Sequence, residues 1–205
     1  MTLRGERADL RAVEREDAPD LHRWLNDPRV MRFWGSPAHT ISRAEVQRRI
    51  EGWLDREAAL GRPACLVIET LEGEAIGHVV IGEERAEARS VELSIMIGEL
   101  DRWGQGYGTD VMETLLDVCF DAWNLHRVWV RSEASNTRAH RLYRRCGFVD
   151  EATLRDAAFL DGRWEDVLVF GILSHQRPAA NGANFSHEGS ADCANPADPA
   201  PISEG

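Results

Sequence analysis

Gly98-Glu99-Leu100-Asp101-Arg102-Trp103-Gly104-Gln105-Gly106-Tyr107-Gly108 joins an alternating apolar run to an amphipathic helical one, and its reading decides the fold. Upstream, Val91, Leu93, Ile95 and Ile97 share one face of a strand, leaving Glu92, Ser94 and Met96 on the other. Downstream, Met112, Leu115, Leu116, Cys119 and Trp123 form a helical stripe. Glycine accepts positive φ and carries no Cβ to hold an anion away from the backbone. The unpaired N–H groups and the dipole at the following helix start favour a pyrophosphate. The spacing G-x-G-x-G differs from the G-x-G-x-x-G of dinucleotide sites, and a chain without lysine cannot form a Walker loop. A turn that binds nothing is the competing explanation.

Working outward, Ala8–Val13 reads as a strand, and Leu21, Trp24 and Leu25 recur at helical spacing until Asp27-Pro28 ends the helix. A loop follows through Phe33-Trp34-Gly35-Ser36-Pro37. Ser42 with Glu45 predicts a capping box, and Ile41 with Val46 a hydrophobic staple. Val46, Ile50, Trp53 and Leu54 continue that helix. Ala64–Glu69 and Ala75–Ile81 flank Glu72-Gly73 as an antiparallel hairpin. Val128-Trp129-Val130 is a strand, and Ala139, Leu142, Tyr143 and Cys146 are a helix stopped by Gly147. Phe148-Val149 and Val167–Leu173 are the last strands, with an Asp161-Gly162 turn before the second. The predicted order is β-α-α-β-β-β-α-β-α-β-β, a mixed α/β domain over residues 1–173. From Ser174 the sequence loses large apolar residues, so 174–205 is expected to be a disordered tail.

A 205-residue chain that is 43% hydrophobic and 29% charged reads as one soluble domain with a real core. No stretch approaches the roughly 20 apolar residues of a membrane span, and the N-terminus lacks a signal-peptide core. The expected location is the cytoplasm, with no membrane partner. A net charge of −11 argues against nucleic acid and suits a cationic substrate. The tail holds one arginine and four acids, so most of the negative charge belongs to residues 1–173. Cys65, Cys119, Cys146 and Cys193 are scattered and pair with no histidine cluster, so neither a metal site nor a disulfide framework is expected.

The second constellation is Asn136-Thr-Arg-Ala139-His-Arg-Leu142-Tyr143-Arg-Arg-Cys-Gly147-Phe148. Together the two stretches resemble the GNAT acetyltransferases, whose hallmarks are Gln/Arg-x-x-Gly-x-Gly/Ala and Asn-x-x-Ala-x-x-x-Tyr-x-x-x-Gly-Phe in that order. Trp103 replaces the Gln/Arg, as in the branch resembling ribosomal-protein N-terminal and spermidine acetyltransferases. The resemblance covers most of residues 7–173, including Arg7-Ala8-Asp9-Leu10-Arg11, Leu25-Asn26-Asp27-Pro28 and Arg155…Asp161-Gly162…Asp166.

It implies a twisted central sheet, mostly antiparallel with a splayed parallel pair and helices on both faces. It also implies acetyl-CoA as co-substrate and a primary amine as acceptor, with a homodimer left open. The cofactor would be held by Met96, Ile97, Arg102, Trp103, Gly104, Gln105, Gly106, Tyr107, Gly108, Thr109, Asn136 and Ala139. Tyr143 is the expected acid for the departing thiolate, against a buried core tyrosine. Glu92, on the polar face of its strand, is the expected base, against a structural acid paired with an arginine. Asn136 suits both a cofactor contact and a helix N-cap, and backbone at Met96–Ile97 could meet the thioester carbonyl. Arg138 or Arg141 could reach a cofactor phosphate, and Phe33-Trp34 could line the acceptor cleft. His39, His78, His126 and His140 show no partner spacing, and Trp53 reads as core. The acceptor is a protein N-terminus or a polyamine-like molecule. An inactive acyl-CoA-binding sensor is the other class.

Overall fold

The period-two and period-3.6 runs become thirteen strands and helices in a computed structural model that describes residues 2–34 and 40–177. In chain order they are β1 (Thr2–Arg4), β2 (Ala8–Ala12), α1 (Ala18–Trp24), α2 (Pro28–Met31), α3 (Arg43–Leu60), β3 (Cys65–Thr70) and β4 (Ala75–Arg85). Then follow β5 (Ser90–Ile97), α4 (Tyr107–Asp117), β6 (Arg127–Glu133), α5 (Thr137–Arg145), β7 (Val149–Leu160) and β8 (Arg163–Leu173). Gly35–Pro37 of the expected loop, His39, Cys193 and the tail beyond Arg177 lie outside the described residues.

The strands form one sheet in the order β1-β2-β3-β4-β5-β6-β8-β7, antiparallel everywhere except between β5 and β6. Side chains leave β3 alternately for two cores, which is why its Cys-Leu-Val-Ile run is apolar without a break. Leu66 and Ile68 join Met112, Leu115, Leu116, Tyr143 and Phe170 under α4 and α5. Cys65 and Val67 join Leu21, Trp24, Val46 and Ile50 under α1 and α3. Helices therefore cover both faces.

The start of α3 follows half of the expected capping box. Ser42 Oγ accepts from the Glu45 amide at 3.1 Å, while the Glu45 carboxylate turns outward to Arg48 and Arg49. Three elements go beyond the sequence reading. β1 is three residues long and α2 a single turn, both too short for periodicity to show. β7 is the larger difference: the sequence predicts only Phe148-Val149, and the strand runs twelve residues. Register shifts between Asp150 and Ala152 and between Leu154 and Ala158 break its alternation, and its outer edge is exposed, so no apolar face marks it. The Asp161-Gly162 turn closes this hairpin with φ of 50° and 80°. The fold also continues past Leu173. Ser174 donates to the His126 carbonyl at 3.0 Å, and Arg177 donates to Asp117 at 2.7 Å.

Candidate active site

β5 and β6 pair over only three residues each, ending at Glu92 opposite Trp129. Beyond that point β5 stays with β4 and β6 stays with β8, so the two strands part. A groove of about 870 Å³ opens between them. Ser94–Ile97 form one wall and Arg131–Glu133 the other, with α5 and the glycine turn beside them. Gly98 N–H donates to the Ile76 carbonyl at 2.8 Å. By strand alternation Ile95 and Ile97 therefore turn their amides toward the groove, and Met96 turns its amide toward β4. Of the expected Met96–Ile97 pair, Ile97 carries the available donor.

The turn itself has the geometry an anion needs. Gly104 and Gly106 sit at φ 77° and 91°, and Gly106 is the N-cap of α4. No backbone carbonyl among the described residues takes up the amides of Gly104 through Gly108. Nothing lies within 4 Å of a Cβ built on Gly104, so its backbone faces open space. Trp103 explains its own departure from the family pattern. Its indole N–H donates to the Ile97 carbonyl at 2.8 Å, and the Arg138 guanidinium lies 3.7 Å over its ring. Arg102 pairs with Glu74, and the Gln105 side chain turns back onto the Asp101 carbonyl.

Asp110 stands in the first turn of α4, where its charge could compete with a phosphate. Its carboxylate instead accepts three amides from the β1–β2 loop and the start of β2: Glu6 at 2.9 Å, and Arg7 and Ala8 at 3.0 Å. The same loop carries the Arg7 guanidinium alongside Gly106.

Tyr143 faces the groove from α5 and makes no side-chain hydrogen bond among the described residues. Burial pushes its phenol well above the usual range, with the charges of Glu133, then Cys146 and Glu92, adding to the rise. It therefore stays protonated and able to donate. Asn136 is the N-cap of α5, its side chain accepting from the Ala139 amide at 3.3 Å, and it lines the groove. Glu92 is buried and lies against the guanidinium of Arg131, Nε to Oε1 at 2.7 Å. Of the expected site residues, all but Gln105 line this one groove.

Sequence reasoning missed Arg131, Ser132 and Glu133. The only available signal was that Arg131 and Glu133 share a strand face just ahead of Asn136. His78 is buried among Trp24, Trp34 and Trp53, Trp53 itself being half-buried, and His140 is buried against Phe170. Among the described residues no three His, Cys, Asp or Glu side chains gather as a metal site.

The chain matches the model of the Acetyltransferase (GNAT) domain over residues 7–149. It is 30% identical to the uncharacterized N-acetyltransferase p20 of Bacillus licheniformis over 85% of this chain and 97% of that one. It is 29% identical to the spermidine N(1)-acetyltransferase of Vibrio cholerae over 80% of this chain and 91% of that one. The crystal structure of the Vibrio cholerae enzyme with CoA and spermine superposes with a TM-score of 0.74, over 82% of this chain and 96% of that one. RimL, a ribosomal L7/L12 protein acetyltransferase solved with coenzyme A, shares the fold at TM-score 0.76 and 18% identity, over 84% and 98% of the two chains. The chain belongs to the GNAT acetyltransferase family. It is an acyltransferase that moves an acetyl group from acetyl-CoA to an amine.

The residues present fit that co-substrate. Five open amides at the turn suit a pyrophosphate, and the Ser132 hydroxyl is buried in the groove wall without a partner among the described residues.

Proposed function

We propose that the groove between β5 and β6 acetylates a primary amine carrying a single positive charge at its reacting end, a peptide N-terminus being the best fit. The observation that carries this is the charge pairing of the acceptor end. Of the two carboxylates that line the groove, Glu92 and Glu133, Glu92 is engaged by Arg131, while Phe33, Trp34, Val30, Leu154 and Val167 supply an apolar wall. A polyamine would need several free carboxylates. The polyamine reading is the second one, supported by the similarity to the spermidine enzyme whose structure holds spermine.

Acetyl-CoA supplies the activated acetyl thioester. The amides of Gly104–Gly108 would hold its pyrophosphate, and Arg138 and Arg141 its phosphates. Burial and the neighbouring charge of Arg141 both lower the Arg138 pKa, so an anion between them relieves a like-charge contact. The Ile97 amide would face the acetyl carbonyl. The acceptor ammonium gives up a proton to a groove carboxylate, and its freed lone pair forms the C–N bond as the C–S bond breaks. Tyr143 protonates the departing sulfur and recovers a proton from the second N–H lost by the nitrogen.

We place the enzyme in the cytoplasm; no helix among the described residues is long and apolar enough to cross a membrane. A homodimer would pair through the open outer edge of β7, which equilibrium sedimentation would show. The test of function is calorimetric titration with acetyl-CoA and CoA, then thiol release with peptides, polyamines, aminoglycosides and amino acids. Micromolar binding with release on peptides is expected. Release on polyamines alone moves the reading to the second one, binding without release makes the chain a sensor, and no binding overturns both. Tyr143→Phe is expected to lower kcat about 100- to 10,000-fold with acetyl-CoA affinity intact.

A further inference from the structure

We infer that Glu133 is the carboxylate that takes the proton from the acceptor ammonium, and that Glu92 positions Arg131. The inference rests on the acetyl-transfer reading above. Both acids lie on the same face of the sheet, one on each side of the gap, so position alone does not choose between them. Their partners do. Arg131 reaches Glu92 through Nε at 2.7 Å and Nη2 at 3.4 Å, and the Glu92 side chain is 8% exposed. Both Glu92 carboxylate oxygens are thereby turned onto the guanidinium, not toward an incoming ammonium.

Glu133 ends β6, two residues beyond Arg131 and past the point where β5 and β6 part. It lines the groove half-buried, and among the described residues its carboxylate joins no ion pair and accepts no hydrogen bond from another residue.

The groups around Glu133 come from every neighbouring element. Arg131 shares its strand, Glu165 comes from β8 and Tyr143 from α5, and Glu92 lines the same groove from β5. His140 Nε2 lies 3.0 Å from the Glu133 carbonyl, not its carboxylate, and burial lowers the pKa of that ring. Burial raises the Glu133 pKa; its own amide and Arg131 oppose the rise, and Glu165 adds to it. Glu165 is itself engaged, accepting from Ser135 Oγ at 2.7 Å. A carboxyl shifted upward is better matched to taking a proton near neutral pH. Glu133 and Tyr143 line the same groove, and the charge of Glu133 adds to the rise of the Tyr143 pKa.

The protons balance. One N–H proton of the ammonium goes to the Glu133 carboxylate and on to solvent. The second N–H proton replaces the one Tyr143 gives to sulfur.

The test compares kcat/KM against pH for wild type, Glu133→Gln, Glu133→Asp and Glu92→Gln, with acetyl-CoA affinity measured by calorimetry for each. Glu133→Gln is expected to lower kcat/KM about 100- to 10,000-fold near neutral pH and to replace the acidic limb set by the enzyme with one set by the amine's own ionisation, with affinity within about twofold. Activity should return partly at high pH, where the amine is already neutral. Glu133→Asp and Glu92→Gln should keep the limb. If wild type turns over and Glu133→Gln retains both rate and limb, the inference falls while the acetyl-transfer reading stands. Loss of the limb in Glu92→Gln alone gives the role to Glu92. If Glu133→Gln no longer binds acetyl-CoA, Glu133→Asp decides, and loss of its limb counts against the inference. A wild type that releases thiol with no amine overturns both.

Discussion

The indole N–H of Trp103 donates to the carbonyl oxygen of Ile97 at 2.8 Å, across the edge where β5 has no strand partner. This bond ties the glycine turn to the strand whose amide would face the acetyl carbonyl, a frame that would hold both ends of the proposed cofactor.

Trp103→Phe keeps a ring under Arg138 and removes the bond. Losing about 1 kcal/mol of hydrogen bonding corresponds to about a fivefold weaker acetyl-CoA affinity. Calorimetry should find that change, with the unfolding midpoint little affected. An unchanged affinity would mean the turn holds its place without the bond.

Two glycine substitutions should act in opposite directions. Gly106 has φ 91° and its added Cβ would lie 3.4 Å from Arg7 Nε, so Gly106→Ala should cost about 1–2 kcal/mol of stability and weaken acetyl-CoA binding. Gly52, inside α3 with nothing within 4 Å of its Cβ position, should gain about 0.5–1 kcal/mol on replacement by Ala. Urea denaturation of the two variants measures both signs.

His78 predicts an acid-sensitive stability. Burial among Trp24, Trp34 and Trp53, and then the charge of Arg49, lower its pKa to about 4. The unfolded chain takes up the proton near pH 6.5, so this contribution is whole above that pH and is lost as pH falls toward 4. The loss amounts to about 3 kcal/mol. His78→Phe should flatten that part of the pH dependence; equal slopes in the two proteins would show that the ring does not titrate as placed.

The boundary of the domain can be measured directly. A chain ending at Arg177 should match the full chain in melting temperature and acetyl-CoA affinity. Ending at Leu173 removes the Arg177 to Asp117 pair, whose side chains are 18% and 23% exposed, and the Ser174 to His126 bond. About 1 kcal/mol lost there lowers the midpoint by about 2–4 °C.

Where the sequence could be read, it was read through period and punctuation. The glycines after β5 and the stripe of α4 placed the phosphate turn because backbone conformation is written into residue type there. The alternation of Val91 to Ile97 put Glu92 and Met96 on the correct face, but it could not show that Arg131 would claim Glu92. That pairing depends on a parallel register between strands more than thirty residues apart in the chain. Glu133 was hidden for the same reason, since its meaning comes from where two strands separate. β7 was hidden by its bulges and its exposed edge, which erase the pattern on which strand prediction relies.

The Asp110 carboxylate accepts the amides of Glu6, Arg7 and Ala8, so the loop between β1 and β2 is latched to the helix that would receive the pyrophosphate. Whatever strengthens that helix end also tightens the latch, and whatever pulls the loop away returns an unscreened negative charge to the phosphate site. Occupancy of the groove should therefore be legible at the far edge of the sheet, as slower amide exchange in Glu6 to Ala8. A fusion placed just ahead of that loop would act as a tuning screw on cofactor affinity.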